Sequence, residues 1–151
     1  MEMDDESFEA AGRFVVSSRP ASVEPAILLQ VLEYLDERLD LQAFESIGIT
    51  FLSPSAMQEL NRDYRAKDAP TDVLTFDVPG VPGMPSQGDI FLCVEAMEDQ
   101  WELGTITSLT AFLCIHGVLH LTGMTHETEE KLASMIALQK SILQSSQDNG
   151  S

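Results

Sequence analysis

Apolar positions recur along this chain in two rhythms, one helical and one extended. From Val23 to Leu39 they fall at Ile27, Val31, Leu35 and Leu39, with Leu28 and Leu32 beside them, and Pro25 suits the first turn of that helix. A second helix starts at Ser53-Pro54, with Ser as N-cap and Pro in the first helical position; it carries Met57 and Leu60 and frays near Tyr64. A helical piece spans about Glu95 to Leu103. A long helix follows from about Thr105 to Leu121, ended by Gly123. The last helix runs from Glu127 to Gln144, with Leu132, Met135, Ile136, Leu138 and Ile142 on its apolar side. Short β-branched or continuous apolar runs predict four strands: Arg13 to Ser17, Gly48 to Leu52, Asp72 to Val78 and Ile90 to Val94. Turn chemistry at Asp68-Ala69-Pro70 and a Pro/Gly loop from Pro79 to Gln87 separate them.

This order predicts an α+β fold, with one small mixed sheet of about four strands covered by helices. The first crossover is expected to be parallel and right-handed, and the third and fourth strands to pair through the Pro/Gly loop. Residues 13–144 read as one domain, between an acidic mobile tail (1–12) and a polar tail (145–151).

Charge narrows the function. Eight Lys+Arg stand against 25 Asp+Glu in 151 residues, a net −17. A field of that sign repels polyanions, so neither a generic nucleic-acid-coating protein nor an anionic-membrane binder is expected. Any RNA contact would need a local basic patch or a metal ion. Cys93 and Cys114 sit in apolar surroundings outside any C-x-x-C pair, which reads as two reduced core thiols in a reducing compartment. The acidic start MEMDDESFEA shows no secretory signal. Thr105 to His126 carries no Asp, Glu, Lys or Arg and is long enough to raise the question of a membrane span. Its three His, five Thr and two Gly, and its acidic flanks, favour a buried helix with its exit turn.

All three histidines lie in eleven residues, HGVLHLTGMTH: His116, His120 and His126. His116 and His120 are four apart, so on a helix their side chains leave one face a turn apart. Two imidazoles so placed can meet one metal ion at about 2.0–2.1 Å. Gly123 permits a sharp turn, after which His126 can swing back as a third ligand. Three neutral imidazoles leave one tetrahedral position open, as in a catalytic zinc site. A single histidine here would read more simply as a satisfied core residue; three at this spacing on an uncharged helix favour a metal. The spacing is that of metzincin proteases, but Gly117 stands where those enzymes carry their general-base Glu. Glycine can neither take nor give a proton, so the metal geometry persists without the peptidase machinery.

Arg62, Arg65 and Lys67 form the strong local concentration of positive charge, in NRDYRAKDAPTDVLTF. An arginine there can grip a phosphate with two parallel hydrogen bonds, and Tyr64 can stack on a base or simply pack. On these residues alone, a solvated loop pairing with Asp63 and Asp68 is as good a reading.

Three ordered blocks resemble one family. NRDYRAKDAPTDVLTF is similar to its L-N-x-x-Y-R-x-x-D-x-P-T-D-V-L-S-F block, GDIFLC to its G-D-I-x-I-C strand, and HGVLHLTGMTH to its H-G-x-L-H-L-x-G-Y-D-H signature. This is the bacterial YbeY family of rRNA maturation factors, single-strand-specific metal-dependent endoribonucleases. The resemblance runs from about Arg13 to Leu143. It implies His116, His120 and His126 as ligands of one Zn2+ ion on a zincin-like helix and Arg65 as the motif arginine of an RNA cleft, in a catalytic role; the basic patch adds Arg62 and Lys67 beside Arg65 as candidate RNA contacts. It further implies 16S rRNA 3′-end maturation and ribosome quality control in the cytoplasm. The expected partners are single-stranded rRNA and the small ribosomal subunit or one of its proteins, with no DNA and no membrane. Three positions depart from the pattern: Thr125 replaces the family Asp before the third histidine, Met124 the Tyr, and Thr75 the Ser. If that Asp orients a ligand or handles a proton, Thr125 weakens metal binding or leaves the task to Glu127. Gly117, Thr125 and the acidic charge together keep open an alternative, a non-catalytic ribosome-assembly module with a structural metal.

Overall fold

The computed structural model describes residues 8–78, 86–97 and 104–149. Five strands form one sheet: β1 (Phe8–Ala11), β2 (Phe14–Ser17), β3 (Phe44–Phe51), β4 (Val73–Val78) and β5 (Ser86–Leu92). Their order is β1-β2-β3-β5-β4. The pairs β2–β3 and β3–β5 are parallel, while β1–β2 and β4–β5 are antiparallel, so the sheet is mixed. Four helices complete the α+β fold: α1 (Pro25–Arg38), α2 (Pro54–Arg65), α3 (Ile106–Leu121) and α4 (Glu129–Asn149). Among the described residues no helix is long and apolar enough to cross a membrane.

Two ends differ from expectation. Phe8–Ala11 pairs with β2 inside the segment read as a tail, which raises the strand count from four to five. Arg19 fastens this hairpin through Glu9 at 2.8 Å, so an acidic residue taken as a mark of disorder is an ion-pair partner. At the other end α4 continues to Asn149, because Ser146 is buried there and its hydroxyl donates to the Leu143 carbonyl. Strand β5 also begins four residues before the expected Ile90: pairing with β3 and β4 on both sides draws Ser86–Asp89 into the ladder despite their polar, glycine-containing sequence. The expected helical piece at 95–103 is a single 3-10 turn at Val94–Ala96, and the rest of it lies outside the described residues.

Alternation along the strands divides the apolar residues between two faces. Ile90 and Leu92 of β5, with Ile47 and Ile49 of β3, join the main core under α1, α3 and α4. Phe91 points the other way, into a smaller cluster with Phe76, Leu74 and Met57 beneath α2. Helix α1 turns Leu28, Val31, Leu32 and Leu35 into the core. In α3 eleven of sixteen residues are buried, which explains why the segment could dispense with charge. Both uncapped-looking starts are satisfied by side chains: Ser53 accepts from the Ala56 amide and Thr105 from the Ser108 amide.

Gly117 marks the close approach of α3 to the sheet. A Cβ built there would lie 2.8 Å from Ile90 Cδ1 and 2.9 Å from Thr75 Oγ1. Crowding, therefore, and not only chemistry, forbids a glutamate at this turn. Alanine at 117 gains about 1 kcal/mol of helix propensity against about 1–3 kcal/mol of overpacking. We expect Gly117→Ala to lower stability by at most about 2 kcal/mol, and Gly117→Glu to lower it far more, as read from urea unfolding midpoints. A Glu variant as stable as wild type would show that α3 does not rest on β4 and β5 here.

Candidate metal centre

The end of α3 builds the site. The helix stops in a Schellman turn: the Met124 amide donates to the Leu119 carbonyl at 3.1 Å and the Gly123 amide to the His120 carbonyl at 2.9 Å. Gly123 has φ +103°, in the left-handed region that glycine enters without strain. The turn aims the Met124 carbonyl back at His120 Nδ1, 3.0 Å away, and sends the chain on to His126.

The three imidazoles converge. Their ligand nitrogens all lie within 4.8 Å of one another, and His116 Nε2 and His120 Nε2 are 3.0 Å apart. Two nitrogens bound tetrahedrally to one zinc-sized ion would stand about 3.3 Å apart, so the spacing suits a shared cation. The donor chemistry suits it too. Burial first, and then the neighbouring imidazoles, hold the pKa of His120 below the ordinary 6.5. Burial is likewise the main cause for His116; its bond to Gln139 and the Asp72 carboxylate pull the other way. Both rings are therefore neutral near pH 7, the form that binds metal. The residues fit a metal ion.

The triad forms one wall of a cleft of about 530 Å³, whose lining also includes Arg65, Asp72, Thr75 and Asp77. Strand β4, at the edge of the sheet, forms the opposite wall. Arg65, fifty-one positions before His116, thus reaches the same cleft from the C-terminal end of α2. The other two basic residues do not share that placement. Arg62 is exposed and pairs with Asp63 at 3.3 Å, and neither it nor Lys67 lines the cleft. Tyr64 is 69% exposed and rests against Phe76, ring centroids 5.4 Å apart at 70°.

Comparison with known proteins matches this architecture to one family. The sequence profile of the endoribonuclease YbeY aligns with residues 21–147. The chain belongs to the YbeY family. The endoribonuclease YbeY of Bacillus subtilis is 31% identical over 81% of this chain and 87% of its own length. That of the Aster yellows witches'-broom phytoplasma is 40% identical over 70% of this chain and 77% of its own. A solution structure from Thermotoga maritima covers 90% of both chains with a TM-score of 0.59 and 24% identity, a likeness of fold alone.

Against the YbeY signature, the departure at Thr125 is compensated locally in one respect. The Thr125 hydroxyl donates to Glu127 Oε1 at 3.0 Å, and Lys131 approaches the same oxygen at 3.3 Å. These bonds hold the Glu127 carboxyl below its usual range, and His126 adds to the effect. An ionised carboxylate therefore stays beside His126 without the family Asp. One residue of the site escaped sequence reasoning altogether. Gln139 of α4, only 1% exposed, meets His116 Nδ1 with its amide oxygen at 3.0 Å. Its signal was faint: a polar residue on the apolar stripe formed by Met135, Ile142 and Leu143.

The depressed histidine pKa values carry a stability consequence with a definite sign. The unfolded chain gains protons near pH 6.5 that the folded pocket refuses. The stabilisation is thus complete above that pH and is lost as pH falls below it. We expect the melting temperature of the metal-free protein to drop between about pH 7.5 and pH 5.5, and a His116→Asn/His120→Asn double variant to show a flatter profile. Parallel profiles would contradict the assignment of this acid sensitivity to the two rings.

Proposed function

We propose that this protein is a zinc-dependent, single-strand-specific endoribonuclease acting in 16S rRNA 3′-end maturation and ribosome quality control. The observation that carries the reading is the meeting of three imidazoles and Arg65 in one open cleft, in a chain of the YbeY family. His116, His120 and His126 would hold the ion. Once bound, zinc supplies Lewis acidity toward a phosphoryl oxygen and lowers the pKa of a coordinated water.

The chain's own groups do the rest. Arg65 would grip a non-bridging phosphate oxygen and offset the negative charge carried by the phosphoryl oxygens as a new P–O bond to the nucleophile forms and the bond to the leaving oxygen breaks. Arg62 and Lys67 are exposed outside the cleft lining, and in this reading they receive flanking phosphates of the strand. The cleft is open to the surface, which suits an unpaired strand whose phosphates can be drawn in one at a time. The rest of the surface repels RNA, so productive contact is confined to this one place, and delivery by a small-subunit protein would favour it. Such a role places the protein in the cytoplasm, with single-stranded rRNA and the small ribosomal subunit as partners. The structural-metal alternative has less support, because a closed structural site would surround the ion with four protein ligands, whereas three histidines meet here beside a cleft.

A cleavage assay on single-stranded RNA tests this. We expect His116→Ala to abolish cleavage, Arg65→Ala to slow it by about 10²–10³-fold, and a chelator to remove it reversibly while the thermal melt changes little. Equal cleavage by wild type and both variants would end the hydrolase reading. A chelator that collapses the fold would revive the structural-metal alternative.

A further inference from the structure

A neutral imidazole has one N–H and one lone pair, and in water it prefers to carry the proton on Nε2. That tautomer cannot bind a metal through Nε2. A site built on the ε-nitrogens therefore binds its ion with the proton on Nδ1, and a fold that favours that tautomer in advance removes its cost from the affinity.

Gln139 is placed to do this for His116. Its amide nitrogen donates to the Phe112 carbonyl at 3.2 Å, and its amide oxygen lies 3.0 Å from His116 Nδ1. The Phe112 bond decides which end of the amide is which. Reversing it would set two oxygens face to face and aim an N–H at the ring. In the observed orientation Gln139 can only accept from His116, so the proton sits on Nδ1 and the lone pair on Nε2. Phe112 is one turn before His116 on α3, so the glutamine measures the ring against the backbone of the same helix. Met135, Ile142 and Leu143 of α4 are buried as Gln139 is, so the amide lies on the buried stripe of that helix. His120 receives equivalent treatment from the Met124 carbonyl. The result is two lone pairs aimed at each other across 3.0 Å, an arrangement that a cation between them relieves.

We propose that Gln139 is a positioning residue that locks His116 in its Nδ1–H tautomer and thereby sets the metal affinity of the triad. The proposal rests on the metal-centre reading, and its effect on affinity is of the size expected of an outer-shell partner. No part of it requires Gln139 to touch metal or RNA.

The test uses the full chain at about pH 8, where both rings are neutral. Long-range 1H–15N correlation spectra of the metal-free protein read the tautomer, and chelator competition reads the zinc dissociation constant. Wild type should show His116 protonated at Nδ1. Gln139→Met, which keeps the side-chain length without a strong acceptor, should shift the ring toward Nε2–H and weaken zinc about 10–100-fold. Gln139→Leu should do the same and guards against a particular folding fault in the Met variant. Gln139→Glu keeps an acceptor for Nδ1–H but sets its second oxygen against the Phe112 carbonyl, so its readout is the tautomer: it should keep the Nδ1–H form. The proposal falls if the apolar variants keep the Nδ1–H tautomer and wild-type affinity. It also falls if Gln139→Glu shifts the ring to Nε2–H as far as they do, since the acceptor would then not be the cause. If wild type takes up no zinc, the metal reading fails, and the spectra alone decide whether Gln139 sets the tautomer.

Discussion

Two ring nitrogens, His116 Nε2 and His120 Nε2, face each other across 3.0 Å with their protons drawn off to the far sides of the rings. Much of the fold serves that contact. Helix α3 is buried at eleven of its sixteen residues, and its lack of charge is the cost of that burial. Gly117 lets it settle on β4 and β5, which brings the edge strand to the opposite side of the cleft. The Schellman turn at Gly123 both ends the helix and supplies a carbonyl to one ring. Helix α4 returns along α3 and supplies an amide to the other. A lone-pair contact in a half-buried pocket is unfavourable by itself, and a cation converts it into the tightest part of the site.

The electrostatics have the same local character. A chain of net −17 cannot recruit RNA through its average field. The cleft itself is different in composition: three imidazoles and one arginine share its lining with two aspartates, Asp72 and Asp77. A divalent ion would turn that balance positive in one place only. Attraction confined within roughly a Debye length of about 8–10 Å then selects strands already close to the cleft, consistent with a substrate presented by a partner. Thr125 and Glu127 show the same economy at small scale, with a hydroxyl and a neighbouring carboxylate standing where relatives carry one aspartate.

What could be read in the linear chain was whatever is encoded by neighbours. The cap at Ser53, the start of the long helix near Thr105, the glycine exit at 123 and the histidine spacing are local chemistry, and each appears in the structure close to where the pattern put it. What depends on distant partners was obscure. Phe8–Ala11 is a strand only because β2 offers an edge and Arg19 a counter-charge, neither visible in four residues of an acidic segment. Ser86–Asp89 extends because strands flank it on both sides. Arg65 and the histidines meet through the placement of α2 and β4, and only the family resemblance linked them in advance. Gln139 was least legible, since a glutamine on an amphipathic helix gives no sign that its amide is the acceptor for a ring on another helix.

The central claim is that one cation is shared by three imidazoles, with a corner open to the cleft. X-ray absorption at the zinc edge of the loaded protein addresses it most directly. The account predicts one equivalent of zinc with three imidazole nitrogens at about 2.0–2.1 Å and one oxygen neighbour. A spectrum with fewer than two imidazoles, or with sulfur from Cys93 or Cys114 in the coordination shell, would contradict it.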